Sequence, residues 1–308
     1  MVSLTRLSLA LAALCLLAVL CFVYPEYLTT PEFRSSYPIE FFRTLIRISM
    51  YASAAIASYS VLTRTLTLQG LFTFTILALC LMLGGADVPL KEEFDYATIQ
   101  VGLDWFVLNL FVLALLFVPL ESLFPIKKHQ RGMGREEFSV DLTYFAVGHL
   151  GVQVLALLSQ QPVEIWVQKY NLNLTGGWLG QQFLIVQVLI ALLISDLSQY
   201  WIHRAFHEIP FLWKFHKAHH SIKELDWLAG SRLHLVDIVF VRGFVYSFIL
   251  MLGLDYKAFL IYVVVVATHA ILNHTNIKMN LGFLEYFIAS NRFHHWHHHD
   301  LPIAYNKN

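Results

Sequence analysis

The residues best suited to chemistry in this chain are its histidines, and they are unevenly placed. All but His129 and His149 of the 15 fall at or after His203. Three tight groups stand out: His203-Arg-Ala-Phe-His207, His216-Lys-Ala-His219-His220, and His294-His295-Trp296-His297-His298-His299. Imidazole is a common metal ligand that suits iron, zinc and copper. On a helix, residues four apart share a face, so His203 and His207 could reach one ion. His216 repeats that geometry with His219 and His220. The last group offers it in two registers, 294/297/298 and 295/298/299. Eight histidines exceed the needs of one ion, which takes about four to six ligands. Two ions about 3.5–4 Å apart would use the supply. The competing reading of any single pair is packing, and of the last group a surface tract that binds metal only adventitiously. Phe293 and Trp296, set among those histidines, argue against a loose, solvated tail.

The elements that must hold these groups are membrane helices. The chain has 308 residues, 57% of them hydrophobic and 14% charged, with a mean hydropathy of +0.58. That is too apolar for an ordinary soluble domain. The formal net charge of zero gives no footing for nucleic acid. A span needs about 20 mostly apolar residues. Clear candidates are Leu7–Tyr24, Leu68–Gly85, Leu103–Phe124, Phe183–Tyr200 and Val236–Leu254; weaker ones are Ile48–Thr63, Leu142–Leu158 and Ala258–Leu272. The last is short enough to be re-entrant or to form a hairpin with the span before it. The first reads as an uncleaved anchor, because no small-residue cleavage site precedes Pro25. The expected fold is therefore all-α: a polytopic transmembrane bundle. A composition boundary near residue 125 separates N-terminal spans with little chemistry (1–125) from a second part (126–308) that carries nearly all the polar intramembrane residues. Cys15, Cys21 and Cys80 lie in apolar runs without metal-binding spacing and read as packing residues.

Positive charge near the span ends sets orientation. Lys127, Lys128, Arg131 and Arg135 follow one span, while Asp87, Glu92, Glu93 and Asp95, with Lys91 alone among them, precede it. Counting onward, with Arg204, Lys214, Lys217, Lys223, Lys278 and Arg292 in support, brings all three histidine groups to the cytoplasmic face. The Gln160–Gly180 loop is then external, and its Asn173-Leu-Thr175 fits a glycosylation sequon. The membrane expected is the inner membrane of a bacterium or the endoplasmic reticulum of a eukaryote.

The run Asp196-Leu-Ser-Gln-Tyr200-Trp-Ile-His203-Arg-Ala-Phe-His207, with Pro210, Leu212-Trp213 and His216-Lys-Ala-His219-His220-Ser221, resembles the fatty acid hydroxylase/sterol desaturase superfamily. Arg232-Leu-His234, Asn273-His274-Thr-Asn276 and Phe293-His294-His295-Trp296-His297-His298 continue the order of its motifs. The resemblance runs from about Asp141 to the C-terminus. It implies an integral membrane oxygenase with a dimetal centre of two irons, zinc being the alternative in purified protein. The partners it implies are a lipid substrate, O2 and an external electron donor. The chain has no Rossmann glycine fingerprint, CxxCH haem site or Cys-rich iron–sulfur motif, so a separate reductase, cytochrome or ferredoxin must supply electrons. The implied ligands are His203, His207, His216, His219, His220, His274, His294, His297 and His298. The 294/297/298 register is preferred because the spacing from His298 to Asn306-Lys-Asn308 suits the family better.

Asp196, an acidic residue inside an apolar run, is expected to hydrogen-bond a ligand imidazole. His234, His269 and His295 are placed around the ligands, His149 in packing and His129 in solvent. Family members continue past the Asn-Lys-Asn element with a glycine-containing turn and another aromatic segment, so the resemblance implies more chain than is present. The expected reaction is hydroxylation or desaturation of a fatty acyl chain or sterol. The alternative is a membrane metal-binding or metal-transport protein without oxygenase activity; ionisable groups gathered at span ends rather than along the spans disfavour transport.

Overall fold

Inside a bilayer no water is present to satisfy backbone N–H and C=O groups, so a chain this apolar must pair them within helices. The computed structural model describes residues 2–30, 34, 38–63, 67–89, 100–130 and 134–299. Among these residues it is all helical, with no strand; Pro125 and Ile277 form an isolated antiparallel bridge. The Lys91, Glu92, Glu93, Asp95 and Arg131 used above for orientation, and Asn306-Lys-Asn308, lie outside the described residues.

The chain divides into two compact units, Met1–Val112 and Leu113–Asn308. In the first, α1 (Val2–Val23), α3 (Ile39–Leu62) and α4 (Thr67–Met82) pack together, after the single turn α2 (Pro25–Leu28). Their core holds Cys15, Val19, Phe22, Ile46, Cys80, Ala86 and Val88. All three cysteines are free and buried. A seam of small hydroxyl residues lets the helices approach: Ser8 and Thr73 hydroxyls lie 3.2 Å apart, and the Ser53 hydroxyl donates to Ser8 O at 2.7 Å. Helix α5 (Leu103–Leu123) contains the division between the units.

The second unit is built on α8 (Leu184–Glu208), flanked by α10 (Leu235–Met251), α11 (Tyr256–His274) and the short α9 (Pro210–His216). Leu179, Ala191, Val245, Ile249, Leu252 and Tyr262 form its core, where the Ser195 and Tyr262 hydroxyls meet at 2.8 Å. On the opposite side of α8, Leu189, Leu193, Leu197 and Trp201 make an exposed apolar stripe at every fourth residue. Such a stripe suits lipid rather than water. The expected span Leu142–Leu158 is two helices, α6 (Phe138–Leu150) and α7 (Val152–Lys169), bent by 49°. The break falls at Gly151, a residue that gives up helix cheaply. Gly243 lets α10 close on α7, since a Cβ there would stand 3.0 Å from Ser159 O.

Among the described residues, five helices are long and apolar enough to cross a membrane: Ile39–Leu62, Leu68–Asp87, Leu103–Leu123, Leu184–Glu208 and Tyr256–His274. Helices Leu7–Val23 and Leu235–Met251 fall just below that length. Tyr256–His274 is thus a full span by length, and it follows α10 after a turn in which Gly253 has φ +61°. At 1.5 Å per residue, the run from Leu184 to His203 covers about 29 Å, the thickness of a hydrocarbon core. The first histidine pair therefore stands where α8 would emerge from lipid.

Candidate metal centre

Two turns at the end of α8 carry His203 and His207 on one face, and α9 brings His216 against them. The Nε2 atoms of His203 and His216 lie 3.0 Å apart, and those of His207 and His203 3.2 Å. His220, from the turn after α9, completes a group of four whose ligand atoms all lie within 4.8 Å of one another. The buried ring of His297 packs beside this group, with centroids 5.0 Å from His203 and 4.8 Å from both His207 and His220. Trp213 closes one side, 5.3 Å from His207 and 5.4 Å from His220.

A second group joins His219, His274, His294 and His298. Their Nε2 atoms form a closed ring with sides of 3.2 Å (His219–His274), 2.9 Å (His274–His294), 3.1 Å (His294–His298) and 3.1 Å (His298–His219). The centre of such a ring lies about 2.2 Å from each corner, close to a metal–imidazole bond of about 2.0–2.1 Å for zinc.

Tautomers test the fit to a metal more sharply than distances do. His274 Nδ1 stands 2.7 Å from Ala270 O, and His219 Nδ1 stands 3.3 Å from Arg232 O. A carbonyl oxygen only accepts, so both rings must carry their proton on Nδ1. Each Nε2 then presents a lone pair, and the two lone pairs face each other at 3.2 Å. No hydrogen bond joins two acceptors; a cation between them removes the repulsion. In the first group one tautomer is fixed in the same way. His216 Nδ1 donates to Asp237 Oδ2 at 2.7 Å, leaving its Nε2 lone pair toward His203. Burial, followed by the neighbouring imidazoles, holds His219, His294 and His298 well below the usual histidine range and pushes His220 down to about 2. Neutral imidazole is the form that binds metal. The donor set therefore fits two cations.

The supports are also specific. Ser290 caps α12 (Asn291–His297) by accepting from Phe293 N, and the fully buried Asn291 amide donates to Ile277 O and Thr275 O. His295 Nε2 donates to Thr275 O at 3.0 Å, with His274 O at 3.3 Å, so it braces α12 on the end of α11. Arg232, whose carbonyl receives His219, is fixed by Asp141 and by Glu137 at 3.0 Å. Arg135 bridges Asp141 to Asp226. These charges are buried but paired, which is the condition for carrying them in the interior. Gly230 is required for space: a Cβ there would stand 2.7 Å from His274 Cγ and 2.8 Å from its Nδ1.

The structure thus gathers His203, His207, His216 and His220 in one group with His297 beside it, and His219, His274, His294 and His298 in the other. His299 is exposed. Asp196 is exposed on α8 and its carboxylate makes no hydrogen bond among the described residues; the carboxylate on a ligand-position imidazole is Asp237. His234 caps α10, its Nδ1 accepting from Val236 N at 3.1 Å. His269 donates to Ala289 O at 2.9 Å and belongs to neither group. Sequence reasoning missed Asp237, Gly230, Arg135 and Asp141. The one available signal was an Asp three residues after His234 in an apolar run, the same kind of signal that singled out Asp196.

Residues 188–307 match the family model for fatty acid hydroxylase. The chain carries a fatty acid hydroxylase domain. All nine histidines of the centre lie inside the matched segment. An ornithine lipid hydroxylase of Rhizobium tropici is 28% identical over 234 residues, covering 75% of this chain and 68% of that protein. A fatty acid hydroxylase of a Lecanicillium species is 34% identical over 119 residues, 37% of this chain and 30% of its own. An alkylglycerol monooxygenase of Xenopus tropicalis is 28% identical over 120 residues, 37% of this chain and 25% of its own. The chain therefore spans about two thirds of the first relative and less than a third of the other two. No solved structure matches. The relatives are lipid hydroxylases and monooxygenases, and the domain is an oxidoreductase of that type.

Proposed function

We propose that this protein is a membrane-bound lipid hydroxylase with two iron ions, one in each histidine group. The observation that carries this reading is the pair of converging imidazole groups at the end of apolar helices, in which the fixed tautomers of His219, His274 and His216 turn Nε2 lone pairs inward. His203, His207, His216 and His220, with His297, would hold one ion; His219, His274, His294 and His298 would hold the other. Bound iron supplies the O2 and electron chemistry, which no side chain here can do. The overall reaction is R–H + O2 + 2 electrons + 2 protons giving R–OH + H2O. The electrons come from a separate donor protein.

The chain's own residues do the positioning. Asp237 and the carbonyls of Arg232 and Ala270 hold the ligand rings in the metal-binding tautomer. The Trp213 ring and the buried Phe206 exclude water from the first group. The exposed apolar face of α8 leads the substrate's chain to the histidines along the bilayer. The relatives' printed names point to polar lipids, such as ornithine lipids and alkylglycerols, as the substrate class. The basic residues around the span ends favour a cytoplasmic centre.

The test is metal analysis of detergent-purified protein, followed by turnover with reductant and a polar lipid, with and without O2. About two irons per chain and an O2-dependent gain of one oxygen in the lipid are expected. Product formed without O2 would refute the oxygenase reading. Two zincs and no turnover after iron loading would leave a metal-binding protein.

A further inference from the structure

A cavity of about 320 Å³ outside the histidine centre is lined by Glu121, Lys127, Lys128, Gln130, Trp227 and Asn276, among others. That volume is at the small end for ligand sites, with room for a polar headgroup rather than a whole lipid. Glu121 is buried, and its Oε1 accepts from Trp227 N at 2.8 Å and Asn276 N at 3.0 Å. Two backbone N–H groups ask only for a neutral carbonyl oxygen, which glutamine would provide. A carboxylate adds charge, and Glu121 makes no ion pair among the described residues. A buried charge is costly without a partner, so an ammonium held in the cavity would stabilise the Glu121 carboxylate.

The remaining wall has the complementary features. Gln130 Nε2 donates to Leu225 O at 2.8 Å, while its buried Oε1 has no hydrogen-bond partner. Lys127 and Lys128 also line this cavity, and both are exposed. The Lys127 backbone is clamped by Asn276, whose Oδ1 accepts from Lys127 N at 2.9 Å and whose Nδ2 donates to Lys127 O at 3.2 Å. Acceptors for an ammonium thus stand beside donors for an anion. The cavity lies at the C-terminal end of Leu103–Leu123 and just past the end of Tyr256–His274, both long enough to span a bilayer. That is headgroup depth. Asn276 follows His274 by two residues, a distance of at most about 7 Å along the chain.

We propose that this cavity holds the zwitterionic headgroup of the lipid substrate, its ammonium on Glu121 and its phosphate or carboxylate on Lys127 and Lys128. This rests on the lipid hydroxylase reading and narrows it to polar lipids with both charges. It also orients them, with the hydrocarbon chain starting beside the histidine centre.

The test is lipid retention by the full-length, metal-loaded chain, measured under argon by native mass spectrometry so that no turnover intervenes. The probes are phosphatidylethanolamine, phosphatidylglycerol, diacylglycerol and free phosphoethanolamine. Phosphatidylethanolamine should be retained about tenfold over phosphatidylglycerol, the size of one hydrogen bond to a charged group, and diacylglycerol least. Glu121→Gln, which keeps the oxygen for the two backbone N–H groups, should abolish the preference. Lys127→Ala/Lys128→Ala should weaken both phospholipids alike. Headgroup-independent retention, or an unchanged preference in Glu121→Gln, overturns the proposal. So does free phosphoethanolamine binding as tightly as the lipid, which would make the site one for a soluble ligand. If Glu121→Gln loses metal or melts early, the lysine pair decides alone. Intact preference without O2-dependent turnover would instead sink the function reading and leave the headgroup site standing.

Discussion

Replacing Asp237 by alanine should weaken one metal site and spare the other. Asp237 is buried and accepts from His216 Nδ1 at 2.7 Å. Its removal frees the ring to rotate or change tautomer and lowers the basicity of Nε2. Loss of such a partner costs about 10–100-fold in metal affinity, or about 1.4–2.7 kcal/mol. Two further costs fall on the fold. The His216 N–H is left buried without an acceptor, about 1–3 kcal/mol, and the first turn of α10 loses an acidic residue favourable to its dipole, about 0.3–1 kcal/mol. The assay is chelator titration of detergent-purified protein, with metal counted by mass spectrometry. Asp237→Ala should release one metal per chain at chelator levels about 10–100-fold lower than the second. Combining it with His298→Ala, which cripples the other group, isolates the affected site. Asp237→Asn keeps an oxygen acceptor without the charge and should fall between. Exposed Asp196→Ala should leave metal content unchanged and stability within about 0.5 kcal/mol. Parallel release of both metals from Asp237→Ala, or a larger loss from Asp196→Ala, would refute the assignment of Asp237 as the residue that sets His216.

Gly230→Ala should displace the His274 ring, since its Cβ would stand 2.7 Å from Cγ; the expected result is about one metal per chain, the His219 group being the one emptied. His219→Ala and His220→Ala, one residue apart, should each cost a different metal, while the double variant loses both; the same metal lost from both single variants would contradict the division into two groups. Acid should destabilise the metal-free protein. The folded values of His219, His220, His294 and His298 lie below the ordinary 6.5. Above about 6.5 both folded and unfolded chains are neutral at these rings, and no penalty arises. As pH falls below that value the unfolded chain takes up protons that the buried rings refuse, so stability drops with falling pH. The melting temperature of chelator-treated protein should be flat above about pH 7 and fall below about pH 6; a rise on acidification would show that the rings are not buried as neutral bases.

The all-helical class and the pairing of histidines by spacing were legible in the sequence alone. Apolar runs of about 20 residues leave helix as the solution for their backbone groups, and spacing of four put His203 with His207, His216 with His220, and His294 with His298 on common faces. The sequence did not determine how those pairs are shared. Tertiary structure sends His216 and His220 to one group and the intervening His219 to the other; it likewise places His294 and His298 with His219 while His297 turns to the first group. Each HxxHH motif thus links both groups, which no single-helix argument could show because the partners arrive from α8, α11 and α12. The same holds for the carboxylates. Asp196 and Asp237 look alike in sequence, each an acid in an apolar stretch. Only the packing of α10 against the end of α9 decides that Asp237 meets an imidazole while Asp196 faces outward. Gly230 shows the limit most plainly: its significance is the space taken by a ring 44 residues away, and volume is a property of the folded chain.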